Sequence, residues 1–244
     1  MMDIKIDMLK ELKEIAEEDI EVRWLKPVEA IGSADKEFVL AKGKEFLVEA
    51  YVLGGVGQAF TDIPSNTRGK VKDLLRGIFG GSRERAIAIA TFNAILNLIG
   101  ILKNPIHCKD EEPIECGKIL APKILDEFGE DAKIVHIGYQ PGHVRATTET
   151  FEHVWITDLD EENIGKIKFG RKVLDGRTQN EETIRDADVA LITGSTLVNG
   201  TVWNLLSWAK KYNTKAILYG VTIKGFCELV GKECFCPISR EVMS

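Results

Sequence analysis

The second half of the chain alternates short apolar runs with helical patterns, and this alternation constrains the fold more than any other feature. The apolar runs are residues 132–138, 151–157, 187–193 and 215–220. Strands joined by helices pair in parallel through right-handed crossovers. Within the third run, residues 189–192 are continuously apolar, as expected of a strand that is covered on both faces. The pattern therefore predicts a Rossmann-like parallel-sheet domain.

The first half has a different pattern, which predicts a small α+β domain. Apolar residues at helical spacing after Asp7 predict an opening helix. Period-two alternation predicts three strands in an antiparallel meander, at residues 20–30, 37–41 and 45–52. Gly54, Gly55 and Gly57 predict a flexible turn that ends this meander. Two helices are expected next, at residues 67–78 and 82–99, with Ser82 as the N-cap of the second.

A segment rich in proline and charge separates the two halves. Residues 103–118 read KNPIHCKDEEPIECGK, which is a composition typical of a linker. The predicted organisation is an α+β domain at residues 1–102, a linker at 103–118 and the Rossmann-like domain at 119–244. The fold class is therefore α/β.

Composition and charge exclude several classes of partner. The net charge is -6 and the basic residues are scattered, so the chain offers no basic face for nucleic acid. The longest apolar stretch falls short of the roughly 20 residues that cross a bilayer, so no membrane association is expected. Five cysteines without framework spacing favour free thiols, and together with an N-terminus that lacks the pattern of a secretory signal they predict a cytoplasmic protein. A homodimer is compatible with a chain of this size.

The loop after the third apolar run is the strongest candidate for a ligand site. In open parallel sheets, ligands bind beyond the carboxyl ends of strands, where the strand order reverses. The sequence TGSTLVNGT places glycines, hydroxyls and an amide between a buried strand and a helix N-terminus, which favours an anion. The alternative is that Thr196 or Asn199 only caps the helix. The candidate ligand-binding residues here are Thr193, Gly194, Ser195, Thr196 and Asn199.

Two further loops carry weaker signals for a nucleotide. Gly138 and Gly142, followed by Asp158, resemble a dinucleotide fingerprint, in which the acid holds a ribose. Pro141 stands where the phosphate-binding turn should begin, and the glycine spacing differs from G-x-G-x-x-G. A simple turn after the strand is the alternative interpretation.

Among the four histidines, His143 is the candidate catalytic residue. It follows Gly142 at a predicted loop tip, where an imidazole that titrates near neutrality could serve as acid, base or ligand. A purely structural role is the alternative. His136 lies in the middle of a predicted strand and is expected to be a hydrogen-bonded core residue, whereas His107 and His153 are expected at the surface.

The cysteines do not form a recognisable metal motif. Cys234 and Cys236 share one face of a predicted strand, while Cys108 and Cys116 lie in the linker, and none has the C-x-x-C spacing of a structural zinc site. They are expected to be small buried apolar residues, with a metal site as the alternative. No common nucleophile, zinc-protease or Walker motif is present.

Four segments carry a resemblance to a known family: GSRERAIAIATFNAILN, KIVHIGYQPG, ADVALITGSTLVNGTVWNLL and AILYGVTIKGF. The chain resembles the family of unknown function that is described as "Putative heavy-metal chelation". The resemblance implies an N-terminal domain similar to that of enolases, a Rossmann-like domain and a cleft between them. The positions that it assigns to this cleft are Thr193, Gly194, Ser195, Thr196, Asn199, Gly200 and Thr201, with Ser82, Arg83 and Asn93 from the other domain.

The residues of the family motif differ from what a bare heavy metal prefers. Soft metal ions favour thiolates and imidazoles, whereas the motif is rich in hydroxyls and amides. A metal ion carried by an organic chelator would satisfy both requirements. The first hypothesis is therefore that the cleft binds or processes a metal chelate or a metallocofactor precursor. The alternatives are a transferase that uses an adenosine-containing cofactor, with Gly138, Gly142 and Asp158 at the cofactor and His143 as acid or base, and a non-catalytic sensor of a small ligand.

Overall fold

The protein is described here by a computed structural model that covers residues 12–32 and 45–242. It contains a four-stranded antiparallel sheet and a seven-stranded, mostly parallel sheet, which confirms the predicted α/β class. The antiparallel sheet has the order β3-β2-β1-β4. Its strands are β1 (Asp19–Leu25), β2 (Phe46–Val52), β3 (Gly55–Thr61) and β4 (Thr67–Lys70).

Of the predicted antiparallel meander, the strand at 45–52 is confirmed as β2, whereas the strand at 20–30 is too long. The first strand ends at Leu25 because helix α1 (Pro27–Ile31) begins at a proline, which suits the first turn of a helix, where no amide donor is needed. The predicted strand at 37–41 and the start of the opening helix lie outside the described residues. Residues 67–70, predicted as helix, are β4 instead, and the helix α2 (Val71–Leu75) that follows is short and passes into a 3₁₀ turn (Arg76–Phe79).

Helix α3 (Ser82–Leu98) is the predicted buried helix, and it packs directly on β3. Gly55 and Gly57 lie within that strand rather than in a flexible turn. A Cβ on Gly57 would overlap the backbone of Ala90 and Ala94, and a Cβ on Gly55 would also meet Ala94. The two glycines are therefore explained by the close approach of helix and strand.

The N-cap of helix α3 also differs from the prediction. Ser82 is the first helical residue, and Gly81 is the N-cap. The Gly81 amide donates to Glu84 Oε2 at 3.1 Å, which satisfies one of the unpaired donors at the helix start.

The parallel sheet has the order β11-β10-β9-β5-β6-β8-β7, and only β7 runs antiparallel to its neighbour. The four predicted strands are confirmed as β5, β6, β9 and β10. Strands β7 and β11 have two residues each, which is too short to give a pattern in the sequence. The strands are β5 (Lys133–Ile137), β6 (His153–Asp158), β7 (Ile167–Lys168), β8 (Arg171–Asp175), β9 (Val189–Thr193), β10 (Lys215–Tyr219) and β11 (Cys234–Phe235).

Six helices accompany this sheet in the described part of the chain: α4 (Glu112–Phe128), α5 (Pro141–Thr150), α6 (Gly176–Asp186), α7 (Ser195–Asn199), α8 (Val202–Tyr212) and α9 (Lys224–Val230). Helix α4 begins inside the segment that composition predicts to be a linker. Pro113 lies in its first turn, so a residue that suggested a loop is compatible with a helix start. Among the described helices, none has both the length and the apolar character needed to cross a membrane.

The two sheets share one apolar core. A single cluster of buried side chains includes Val22 and Val48 of the antiparallel sheet, Ala90 of helix α3, and Val135 and Ile192 of the parallel sheet. Helix α3 is thus covered from both sides. This shared core fixes the antiparallel sheet near the loops that follow β5 and β9.

Candidate functional site

A cavity of about 460 Å³ opens where the order of the parallel sheet reverses. From β5 the sheet continues through β6 in one direction and through β9 and β10 in the other, so the loops after β5 and β9 diverge. This is the position at which open α/β sheets bind ligands. The antiparallel sheet closes the cavity through residues at the ends of its strands, including Glu45, Phe60 and Thr61.

The loop after β9 forms a face of hydroxyls and amides, which we call the hydroxyl face. All five of the residues predicted for this loop line the cavity, and Thr201 lines it with them. Thr196 Oγ1 donates to the Thr193 carbonyl at 2.6 Å, and Asn199 Oδ1 accepts from the Thr201 amide at 3.0 Å and from its hydroxyl at 2.7 Å. Ser195 Oγ lies 3.4 Å from Thr193 Oγ1. Neither Thr196 nor Asn199 is an N-cap residue, since Gly194 and Thr201 hold those positions in α7 and α8, and the two side chains order the loop through these hydrogen bonds instead.

The helix that follows this loop attracts an anion less strongly than we expected from the sequence. Helix α7 has only five residues, so its dipole is small. The amide of Gly194 is already used, because it donates to the Tyr219 carbonyl at 2.9 Å.

The loop after β5 does not form a nucleotide site of the expected kind. Gly138 lines the cavity with a φ of 94°, but Gly142 does not, and a Cβ on Gly142 would overlap the carbonyl group of Pro113. Gly142 therefore serves the packing of α5 on α4. The first turn of α5 is capped by Gln140, whose Oε1 accepts the His143 amide at 2.5 Å. The Gln140 side chain thus uses one of the free amides that a helix N-terminus would otherwise offer to a phosphate.

Asp158 lines the cavity, but its carboxylate is engaged by its own surroundings. Oδ1 accepts the amides of Leu159 at 2.6 Å and Asp160 at 3.0 Å. Oδ2 accepts the Tyr139 amide at 3.3 Å and Asn163 Nδ2 at 2.9 Å. Asp158 thus orders the two neighbouring loops and contributes negative charge to the cavity.

His143 is not at a loop tip, which corrects the prediction. It lies in the first turn of α5 with 3% of its surface exposed, between the rings of Tyr219 and Phe235 at centroid distances of 4.8 and 5.9 Å. Burial lowers the pKa of His143 to about 3, so its imidazole is neutral at physiological pH. Its Nε2 lies 3.3 Å from Cys116 Sγ. An imidazole in this environment is suited to be a ligand rather than a solvent-exposed acid or base.

Three thiols and two imidazoles line the same cavity, and we call them the thiol face. They are His107, Cys108, Cys116, His143 and Cys236. Besides the contact between His143 and Cys116, Cys108 Sγ lies 3.9 Å from His107 Nε2. Burial raises the pKa of both the Cys108 and the Cys116 thiols, and the nearby Cys236 raises them further. All five cysteines of the chain are free thiols, as predicted.

The thiol face could not be assembled from the sequence, because its members are up to 129 positions apart and lack motif spacing. His107, predicted at the surface, is instead partly buried with its ring 5.0 Å from that of Phe60. His136 is the expected hydrogen-bonded core residue, with Nε2 2.8 Å from Thr147 Oγ1, and His153 is exposed as expected. Within the described ranges, no group of three or more His, Cys, Asp or Glu side chains is arranged so that it could hold a metal ion.

Among the described residues, four carboxylates also line the cavity, namely Glu45, Asp62, Asp158 and Asp160, which we call the carboxylate end. The pKa of Glu45 is raised to about 7, first by burial and then by the charges of Asp158, Asp62 and Asp160. No lysine or arginine is among the described residues that line the cavity.

The resemblance assigns three residues of the N-terminal half to the cleft, and only one of them lines the cavity. Ser82 lines the cavity, whereas Arg83 and Asn93 do not. Arg83 donates to Ser65 Oγ through Nε at 3.0 Å and Nη2 at 2.9 Å. Asn93 is 1% exposed and connects strand β3 to helix α9: its Nδ2 donates to the Gln58 carbonyl at 3.0 Å, and its Oδ1 accepts the Gly225 amide at 3.1 Å. The polar groups of Asn93 are therefore used within the protein.

Comparisons with known proteins agree with the resemblance seen in the sequence. Residues 123–229 match the model of the family described as "Putative heavy-metal chelation". This range contains the loop after β9, but of the thiol face it contains only His143. No curated protein matches the chain.

Two solved structures share the fold, and both are proteins of unknown function from that family. The protein from Pyrococcus horikoshii has a TM-score of 0.53 and 15% identity, covering 89% of this chain and 78% of its own. The protein from Desulfitobacterium hafniense DCB-2 has a TM-score of 0.53 and 14% identity, covering 96% of this chain and 85% of its own.

Proposed function

From the family match and the chemistry of the cavity, we propose that this protein binds a metal ion that is carried by a small polar organic ligand. The metal is the cargo or substrate rather than a resident cofactor. One observation carries the proposal: a single cavity has both a hydroxyl face, built from the family motif, and a thiol face. Hydroxyls and amides suit the organic part, whereas thiols and imidazoles suit a soft metal ion.

A metal ion that is already bound to an organic ligand fits the cavity better than a metal ion without ligands of its own. Since the described residues offer no ready cage of three ligands, an ion without its own ligands would remain under-coordinated. The His143 and Cys116 pair, with its 3.3 Å separation, offers two soft donors in one place. A metal that already holds an organic ligand needs few further donors. The cavity volume of about 460 Å³ lies in the range typical of small-molecule sites.

The first prediction concerns the thiol of Cys116. We expect Cys116→Ala to weaken the binding of cadmium(II), offered as its citrate complex, by at least about tenfold, because a thiolate is a strong soft ligand. The measurement is the ultraviolet absorption of thiolate-to-cadmium charge transfer during titration of the full chain. Cys234→Ala is the matched control, since Cys234 is a free thiol that does not line the cavity.

Ser195→Ala tests the other face in the same titration. Loss of the Ser195 hydroxyl should weaken the citrate complex more than it weakens cadmium(II) added alone. If Cys116→Ala and Cys234→Ala bind the complex equally well, the thiol face is not the metal site and the proposal fails. Native mass spectrometry of protein purified without oxygen or chelators would give the mass of any natural ligand directly.

A further inference from the structure

We infer that Arg85 is a positioning residue of the ligand site: its guanidinium group holds the hydroxyl face at the place where the organic part of the ligand binds. The inference rests on the proposed function, and it adds a residue that lies outside both the cavity lining and the segment 193–201. Recognition of the organic ligand would then depend on a contact between the two halves of the chain.

The Arg85 side chain connects helix α3 to the hydroxyl face through two short hydrogen bonds. Its Nε donates to the Val198 carbonyl at 2.5 Å, and its Nη1 donates to the Gly80 carbonyl at 2.6 Å. Val198 lines the cavity, and Gly80 lies two residues before Ser82, which also lines it. One guanidinium group thus joins two segments of the cavity wall that are more than a hundred residues apart in the chain.

Helix α7, which carries most of the hydroxyl face, has little support from its own backbone. It has five residues, no side chain caps its N-terminus, and it ends at Gly200 with a left-handed φ of 84°. The last four carbonyls of a helix have no partner within the helix, and the Val198 carbonyl is one of these. A basic side chain that donates to such a carbonyl stabilises the end of the helix. Arg85 therefore supplies a contact that α7 cannot provide for itself.

The guanidinium group of Arg85 is committed to these two carbonyls. Among the described residues, no carboxylate forms an ion pair with it. It also lies against the end of α7, since a Cβ on Gly200 would be 3.7 Å from both Cζ and Nη2 of Arg85. A guanidinium group is a planar fork, so it can reach two carbonyls in fixed directions, whereas the ammonium group of a lysine is a compact point charge. The geometry of this side chain matters here in addition to its charge.

A change at Arg85 should affect the two faces of the cavity differently. Helix α7 carries Ser195, Thr196 and Asn199, so a shift of this helix displaces their hydroxyl and amide groups together. The thiol face comes from other segments of the chain and has no contact with Arg85 among the described residues. Binding groups have to be held within about 0.5 Å of their working positions. Loss of Arg85 should therefore impair binding of the organic part and spare the soft donors of the metal.

Arg85→Ala tests the inference in the cadmium(II) titration of the full chain. It should weaken binding of the citrate complex by at least about tenfold and leave the binding of cadmium(II) added alone unchanged. Arg85→Lys keeps the charge but cannot span both carbonyls, so it should recover only part of the affinity. Millimolar guanidinium ion should restore binding of the complex to Arg85→Ala, because the small ion can occupy the vacated position.

Arg68→Ala is the matched control. It also removes one positive charge from the N-terminal half, but Arg68 is exposed, pairs with Glu21 and lies outside the cavity. It should bind the citrate complex and cadmium(II) alone as the wild type does. Circular dichroism shows whether Arg85→Ala is folded, and Arg85→Lys keeps the test decisive if it is not.

Equal weakening of the citrate complex and of cadmium(II) alone would mean that Arg85 supports the fold as a whole, which overturns the inference. Unchanged binding of the complex would overturn it as well. Ser195→Ala in the same titration separates this inference from the proposed function. If Ser195→Ala weakens the complex selectively and Arg85→Ala does not, only the inference fails. If neither variant distinguishes the complex from cadmium(II) alone, the cavity does not bind the organic ligand and both fail.

Discussion

Glu45 couples the electrostatics of the cavity to the stability of the fold. Its pKa is about 7 in the folded protein, against an ordinary value of 4.5. Between these values the folded state holds a proton that the unfolded state has released. The contribution to the free energy of unfolding is therefore present below about pH 4.5 and is lost as pH rises to about 7.

The resulting prediction is that Glu45→Gln changes the pH dependence of stability. Between pH 5 and pH 7.5, this shift in the pKa of Glu45 should lower the free energy of unfolding of the wild type by about 2 kcal/mol. The variant should not show this loss. The measurement is urea unfolding at pH 5 and at pH 7.5. Glu149→Gln, at an exposed position, should behave as the wild type does. An identical pH dependence in Glu45→Gln and the wild type would contradict the electrostatic description of this carboxylate.

Single residues also show how far the sequence could predict the site. The position of the hydroxyl face at the cavity could be predicted because its residues lie in one short loop segment, residues 193–201, that follows a strongly apolar strand. His143 was misplaced because Pro141 and Gly142 suggested a loop, whereas the proline starts α5 and the glycine lets α5 approach α4. Glu45 carries no local signal, since its environment is created only by distant parts of the chain.

At the scale of elements, the contact between β3 and α3 depends on glycine. We expect Gly57→Ala to lower the free energy of unfolding by about 1–3 kcal/mol or more, because its Cβ would overlap the backbone of α3, which cannot move aside cheaply. Chemical denaturation provides the measurement. Gly69→Ala is the matched control, since a Cβ there would lie 3.5 Å from the Leu74 side chain, an ordinary contact. A Gly57→Ala protein as stable as Gly69→Ala would show that helix and strand are less tightly packed.

Elements were predictable where hydrophobic patterning extended over five residues or more. Strands β5, β9 and β10 and helix α3 have such patterns and were placed correctly. Strand β3 was missed because glycines replace the expected β-branched residues, and this replacement serves packing rather than flexibility. Helix α4 was not predicted, because prolines and charges at its N-terminus resemble a linker.

At the scale of the whole molecule, composition predicts two domains, while the structure shows one core shared by the two sheets. The buried cluster continues from Val22 through Ala90 to Ile192 without interruption. Asn93 adds hydrogen bonds across this core, at 3.0 Å to the Gln58 carbonyl in β3 and at 3.1 Å from the Gly225 amide in helix α9, which follows β10. The cavity lies at the junction of the two sheets. The relative position of the sheets therefore determines whether the hydroxyl face, the thiol face and the carboxylate end line the same cavity.

The shared core predicts that the described parts of the two sheets unfold together. Trp24 in β1 and Trp155 in β6 can report on each sheet if the other tryptophans are replaced by phenylalanine. Their fluorescence transitions in urea should coincide, as expected for a two-state protein. Asn93→Ala should move both midpoints down together, because a buried carbonyl of β3 and a buried amide of helix α9 lose their hydrogen bonds. If the Trp24 transition instead precedes the Trp155 transition, the sheets are separate folding units, and ligand binding at their junction would then stabilise the first transition selectively.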